Sequence, residues 1–418
     1  MTITGEDRAI LRALAQEKRD LAHQCAKQEN EKLWRALNDL KMIKPAIYIN
    51  EVPWHEMDVE GELTLRTQDP VLQAIEQNLR REIYSYKHFP GNMVITDTYE
   101  CPIVYYNSEF GISEDVDITR TSDESEIYSR HFHIQIAGPD DIEKIQQPVV
   151  TLDQEQTEKN MTLLQELFGD ILTIQKVGVK GWWFTPWDNL IRWTGVQEAL
   201  MDLILEPEYI DKLVSHFVDR SVSMLEQFTK LGLWASNNDN TRVGSGGYGY
   251  VSGLDAPEKH PYDAPANQLW GCGNAQIFSD VSEQMHWDFS IKHEMRWLSH
   301  FGMNYYGCCE PLHGKLNILQ KIPNLRKIST SPWAKIEEMA PIVKGKYVLS
   351  CKPNPAIFAT DHFDEDEAKR QILDIFEKAD GCSIELIMKD ISTVHGVPQR
   401  LWRWAQLAQQ TIDEFYGF

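Results

Sequence analysis

The sequence predicts an α/β protein, a TIM (β/α)8 barrel carrying an N-terminal helical extension. Two observations predict the barrel. From about residue 165 short apolar runs alternate with helical segments, the pattern of parallel βαβ units. About eight strand candidates follow one another between Asn92 and the C-terminus, enough to close a ring. An open, doubly wound sheet is the alternative. No G-x-G-x-x-G follows any strand; the GSGGYG at 244–249 has the wrong spacing and no helix after it.

The elements are expected in the following order. Residues 6–41 read as one long helix or two joined ones, with Ile10, Leu14, Leu21, Cys25, Leu33, Leu37 and Leu40 forming the stripe. Pro45 ends it, and an Asp-Pro pair starts a second helix over Asp69–Tyr84. Residues 1–89 make up the extension, whose apolar stripe needs a partner surface, on the barrel or in a homo-oligomer. Residues 90–418 make up the barrel. Asn92–Thr98, Ile103–Tyr106 and Arg130–Ala137 are strand candidates, and the acidic, Ser-rich Ser113–Ser125 is a surface excursion. Ile171–Val177 is a strand, followed by helices to Leu205 and Leu231. Strands are then expected at Val243–Ser252, within Gln268–Asp280, and at Asn304–Glu310, Leu325–Ser329, Tyr347–Cys351 and Cys382–Asp390. Helices are expected at Val281–Phe301, Lys315–Gln320, Ala334–Ile342, Asp364–Lys378 and Gln399–Phe415.

Composition narrows the function. The chain has 418 residues, 41 Lys plus Arg against 63 Asp plus Glu, and a net charge of −22. A phosphate-gripping domain needs a basic face, so nucleic acid and anionic membrane are poor partners. No run of ~18 uncharged apolar residues exists to span a bilayer. The N-terminal residues alternate charge with apolar side chains, unlike a signal peptide, so the cytoplasm is the expected location. Seven scattered cysteines suit reduced thiols, free to act as ligands or nucleophiles.

In a parallel barrel the active site lies at the C-terminal ends of the strands. One strand ends in Tyr306-Gly307-Cys308-Cys309-Glu310-Pro311 and another in Ser350-Cys351. A third ends in Asp280, and the last ends in Lys389-Asp390 before a loop holding His395. Thiolates and a carboxylate on one rim suit a catalytic zinc and disfavour harder cations. Adjacent strand residues face opposite ways, so one of Cys308 and Cys309 is expected to bind. Against this stands the reading of these thiols as small buried hydrophobes. His395 is placed as a proton donor or substrate contact. His286, His293 and His300 share a helix face but are ~10.5 Å apart along the axis, so packing is expected for them. His131 and His133 are read the same way, and His313 ranks below the thiols. The cluster Trp182, Trp183 and Trp187 is expected mostly to pack, with one or two available to a flat ligand.

These segments resemble the uroporphyrinogen decarboxylase superfamily, in its corrinoid-dependent methyltransferase branch. The resemblance is carried by Phe184-Thr185-Pro186-Trp187 through Gly195, Leu200-Met201-Asp202, Glu206-Pro207-Glu208 and Leu349-Ser350-Cys351-Lys352-Pro353-Asn354-Pro355. It spans about residue 90 to the end and is diffuse. It implies a TIM barrel and an O-demethylase type methyltransferase containing zinc. Such an enzyme moves a methyl group between a small methylated substrate, such as an aryl methyl ether, and the cobalt of a separate corrinoid protein. The order Asp280, Cys308, Cys351 resembles the branch's ligand pattern. The branch's His-x-Cys tip is replaced here by Gly307-Cys308-Cys309-Glu310, and Glu310 is the substitute ligand should Asp280 lie too far. No Asp-x-His-x-x-Gly occurs, so the corrinoid must come from a partner. The alternatives are a decarboxylase of a carboxylated ring, which needs cavity arginines and no metal, and a non-catalytic tetrapyrrole-binding protein.

Overall fold

The computed structural model of the chain describes residues 3–24, 27–120 and 128–418. Cys25 and the 121–125 end of the acidic excursion lie outside the described residues. Among the described residues there are twelve strands: β1 (Ala46–Ile49), β2 (Thr98–Pro102), β3 (Tyr105–Asn107), β4 (Val116–Arg120), β5 (Tyr128–Phe132), β6 (Val150–Leu152), β7 (Thr173–Val177), β8 (Trp270–Gly273), β9 (Met303–Tyr306), β10 (Leu325–Thr330), β11 (Val348–Cys351) and β12 (Ser383–Met388). Six of them form one parallel sheet in the order β1-β12-β11-β10-β9-β8. Both faces of this sheet are covered. All six residues of β12 are buried, as expected for an apolar run in a parallel sheet.

The fold is α/β with a central parallel sheet, but strand pairing does not close it into an eight-membered ring among the described residues. β2 and β7 pair separately and in parallel. The two edges of the main sheet are met by asparagine side chains. Ile47 N donates to Asn92 Oδ1 at 2.9 Å. At the other edge Trp270 N donates to Asn237 Oδ1 at 2.9 Å, and Asn237 Nδ2 donates back to Trp270 O at 3.0 Å. Single parallel bridges join Val179 to Trp234 and Phe184 to Gly273. The expected strands at Asn92–Thr98 and Val243–Ser252 are absent. Their Asn, Gly and Ser residues offer little apolar alternation, and side-chain hydrogen bonds take the place of a ladder.

The first 89 residues are not only helical. β1 pairs with β12, Ala46 opposite Glu385, so the sheet takes in a strand from before the expected boundary. Around it stand α1 (Gly5–Gln24), α2 (Lys27–Asn38) and α3 (Pro70–His88). α3 starts where Asp69 accepts the Val71 amide and Pro70 fills the first turn. The stripe of α1 buries Leu11, Leu14 and Ala15 against Leu72, Ile75 and Leu79 of α3 and against Leu164 and Phe168. α2 sends Trp34 and Leu37 inward, against Tyr248, Tyr250 and Val348, the first residue of β11. The amino ends of the strands are therefore plugged. The Gly-rich segment makes this plug possible: a Cβ on Gly246 would lie 2.4 Å from a Glu385 oxygen, and one on Gly247 would lie 2.3 Å from the Trp34 ring.

The two faces of the sheet differ. Ile328, Leu349, Cys351, Ile384 and Leu386 pack on the surrounding helices, with Ile372, Trp404 and Ile412. Alternation sends Lys327, Ser329, Ser350 and Glu385 inward. Lys327 and Glu385 are fully buried and paired at 2.8 Å. The second Glu385 oxygen accepts the Gly247 amide at 3.2 Å. No described helix is long and apolar enough to cross a membrane.

Candidate active site

At the carboxyl ends of these strands the inner face turns charged. β9 ends at Tyr306, and the next residue, Gly307, has a φ of +99° that bends the chain; a Cβ there would meet Leu312 and Ser329 within 3 Å. The bend carries Cys308 and Cys309 over the sheet. Cys308 Sγ lies 3.6 Å from Cys309 Sγ and 3.5 Å from Lys389 Nζ, which follows β12. Cys309 Sγ reaches Asp390 Oδ2 at 3.7 Å. Lys389 Nζ also meets Asp390 Oδ2 at 3.0 Å and Glu51 Oε2 at 3.4 Å, Glu51 standing just past β1. Arg242 pairs with the other Glu51 oxygen at 3.1 Å. A second ammonium, Lys352, follows β11 and donates to Ser329 Oγ at 2.8 Å and to Tyr305 Oη at 3.0 Å. Glu51 and Asp390 have φ of +53° and +57°, a left-handed backbone that costs a non-glycine residue ~1–3 kcal/mol and is concentrated at functional sites.

The charges support one another. The hydrogen bond from Cys309, then the Lys389 and Lys352 ammoniums, outweigh burial and bring the Cys308 thiol down to about 7. Cys309, as the donor, is pushed up. Burial opposes charge on Lys389, but Cys308, Glu51 and Asp390 together hold its ammonium well above the usual range. Burial and the hydrogen bond it gives to Asp390 push Glu51 up, while Asp390 is held down by that same bond and by Lys389. The site therefore gathers a thiol of lowered pKa and two carboxyl groups around one lysine. A cavity lined by Ile47, Ile49, Phe89, Asn92 and Tyr248 opens beside it and shares Glu51.

The residues singled out in the sequence divide. Cys308 and Cys309 are at this centre. Glu310 is fully buried beneath it and serves the backbone, accepting the Cys308 amide at 2.8 Å and the Ala275 amide at 3.3 Å. Cys351 is on the other face of the sheet, in the same register as Leu349; burial pushes its thiol up to about 12. The inward residue is its neighbour Lys352. Asp280 is exposed in the turn before the 283–298 helix. Its charge acts on Lys315, whose ammonium donates to the Phe278 carbonyl. The His395 ring is exposed and bonds the Ala359 carbonyl at 2.9 Å, away from the thiols. Asp280, Cys308 and Cys351 are thus not brought together. Among the described residues no three His, Cys, Asp or Glu side chains stand where they could hold a metal ion. The anionic groups at the centre already have the Lys389 ammonium between them, and as arranged they do not fit a zinc ion.

Glu51, Arg242 and Lys352 are the members to which sequence reasoning gave no place in the site, and Lys389 was given no role there. Lys389-Asp390 was visible as a strand tip. Glu51 was hidden because β1 is only four residues long and sits among helices.

Behind β9 lies a second buried polar group. Tyr306 Oη meets His286 Nε2 at 3.0 Å, and Ser290 donates to Glu294 Oε1 in the π-helical turn Trp287–Ile291. Burial pushes the Glu294 carboxyl up to about 8, although Ser290 and Tyr306 hydrogen bonds oppose it, and burial with the Lys315 charge pushes His286 down to about 3. The protonated Glu294 is the form the fold prefers. Its contribution is complete below the unfolded carboxyl pKa, ~4.3, and is lost as pH rises to about 8. In Glu294→Gln the melting temperature should therefore gain on the wild type between pH 5 and 8, by ~5 °C, and hold that gain above pH 8. Parallel melting curves across this range would contradict the buried neutral carboxyl.

The sequence matches no family model. No curated protein matches it. Among solved structures it is similar to a methyltransferase from Methanosarcina mazei, with a TM-score of 0.48 and 10% identity over 93% of this chain and 99% of that one. A likeness this distant leaves the activity to be read from the residues of the site.

Proposed function

We propose that the protein is a methyltransferase whose reaction centre is Cys308, Lys389 and Lys352. It would move a methyl group between a small methylated substrate and the cobalt of a separate corrinoid protein. The single observation that carries this reading is the Cys308–Lys389 pair at the strand ends, a soft anion and a fixed cation at one point. The resemblance of the 184–208 and 349–355 segments to the corrinoid-dependent branch supports it.

The corrinoid, when its carrier docks, would supply the metal that takes or gives the methyl group. The chain's own residues do the rest. An ether oxygen or thioether sulfur that loses its methyl group keeps the bonding electron pair and becomes an anion. The Lys389 and Lys352 ammoniums stand where that charge develops and are fixed beforehand by Glu51, Asp390, Tyr305 and Ser329, so they need no reorganisation as it forms. Cys308 is a third anionic partner of Lys389, beside Asp390 and Glu51. The Trp34 and Tyr248 plug closes the amino ends, so substrate enters from the carboxyl ends.

The test mixes the protein with a reduced corrinoid carrier and aryl methyl ethers, methylamines or methyl thiols, following the corrinoid spectrum. Methylation of cobalt that depends on the protein, on a donor and on Lys389 is the expected result, with no stoichiometric zinc in the purified chain. Stoichiometric zinc would transfer the charge-stabilising role from Lys389 to the metal. A decarboxylase is favoured by one observation, the convergence of Arg242, Lys352 and Lys389 at the strand ends. Release of carbon dioxide from a carboxylated ring, with no methyl transfer, would replace the first reading with this one.

A further inference from the structure

β8 ends at Gly273, and two residues further, at Ala275, the chain is tied down again. Gly307 N donates to Gly273 O at 2.9 Å. Ala275 N and Cys308 N donate to the two oxygens of Glu310. The residue between these ties is Asn274, so its backbone is fixed to both sides of Cys308. Its direction follows from the strand. Trp270 and Cys272 pack inward with Tyr305 and Val243, whereas a Cβ on Gly273 would meet Tyr306 and Glu294 on the helix side. Asn274 is the next inward position after Cys272.

The Asn274 side chain is fully buried, and neither its Oδ1 nor its Nδ2 has a hydrogen-bond partner. Leaving such atoms unpaired costs ~1–3 kcal/mol each, so a buried carboxamide idle at both ends is an expensive way to fill space. A carboxamide presents one donor and one acceptor in a plane. It matches a second carboxamide or a protonated carboxyl edge to edge, and has nothing to offer a bare alkyl group.

We propose that Asn274 is the substrate-contacting residue of the Cys308 centre, and that it receives a carboxamide-type edge next to the reacting carbon. This rests on the reading of Cys308 and Lys389 as the reaction centre, and it adds the polar class of the substrate.

Iodoacetamide tests both statements separately, because it joins a primary carboxamide to a carbon that a thiolate attacks. The sulfur–carbon bond forms, the carbon–iodine bond breaks, and iodide leaves with the electron pair. Methyl iodide undergoes the same step without the carboxamide. Rates at each cysteine of the folded, full chain are read by mass spectrometry with both reagents, and glutathione gives the intrinsic ratio. Cys308 is expected to favour iodoacetamide over methyl iodide more than glutathione does. Asn274→Leu and Asn274→Ala should lower that ratio about tenfold, the scale of one lost hydrogen bond to a buried partner. The methyl iodide rate should stay unchanged, and it reports whether the variant has kept the site folded. An unchanged ratio in both variants would overturn the assignment of Asn274 and leave the centre standing. Wild-type Cys308 reacting at pH 7 no faster than the buried Cys382 would overturn the centre itself, and Asn274 with it.

Discussion

Lys327→Met is expected to cost about 3–5 kcal/mol of stability, the largest loss from any single change considered for this protein. The ammonium is fully buried, 2.8 Å from Glu385, with Trp34 and Trp270 rings 5.8 and 5.5 Å away. Burial, with the Lys352 charge, pushes Lys327 down, and the Glu385 carboxylate opposes that shift. Removing the lysine strands Glu385 in a space that no solvent reaches, with only the Gly247 amide to meet it. Denaturant unfolding measures the loss as a drop in midpoint at constant slope. Lys327→Met combined with Glu385→Leu should recover most of it, since no unpaired charge then remains. A double variant as unstable as the single one would show that the pair acts through shape and not through charge.

Lys389→Met should have the largest effect on chemistry, a fall of ~10²–10³-fold in the proposed methyl transfer, the scale of one preorganised charge-stabilising group. A second readout does not depend on knowing the substrate. The pH at which Cys308 becomes reactive to alkylation should rise from about 7 toward the ordinary thiol value of ~8.5, because the thiolate loses its counter-ion. Cys309→Ala should raise it further still, since the Cys309 hydrogen bond is the largest of the supports that lower the thiol. Lys389→Arg keeps the charge and should shift the profile little. A pH profile unmoved in Lys389→Met would separate the lysine from the thiol and remove the basis of the proposed centre.

Much of the second half of the chain was legible. The strands from β8 to β12 fell where apolar runs alternate with amphipathic segments, because buried parallel strands and capped helices leave strong local marks. The helix Glu365–Lys378 shows such marks, with Asp364 capping it, three acidic residues in its first turn and Lys378 in its last. The first half was less legible for physical reasons. β1 is short and marked only by Pro45 before it. The 232–252 segment holds its place through Asn237, Asn238 and glycines, whose work is done by side-chain hydrogen bonds and close approach. In the site, Cys308 was visible as an adjacent-thiol tip. Cys351 was misplaced by a single residue of strand parity: with Val348 and Ser350 inward, the inward position is 352. Asn274 left no mark at all, because an idle amide is recognised only once its surroundings are known.

The pairing of β1 with β12 also governs when the chain can fold. Ala46 and Glu385 are separated by nearly the whole sequence, and the sheet order places β12 between β1 and β11. During synthesis β1 emerges early and must wait, with both β1 and β11 lacking a neighbour, until residue 388 has left the ribosome. Folding of the central sheet is thus a late event with large loop-closure cost, and the waiting chain presents unpaired strand edges to other chains. Chains that stop before β12 would not be shortened versions of the same fold; they would be open sheets with two sticky edges, substrates for chaperones and proteases.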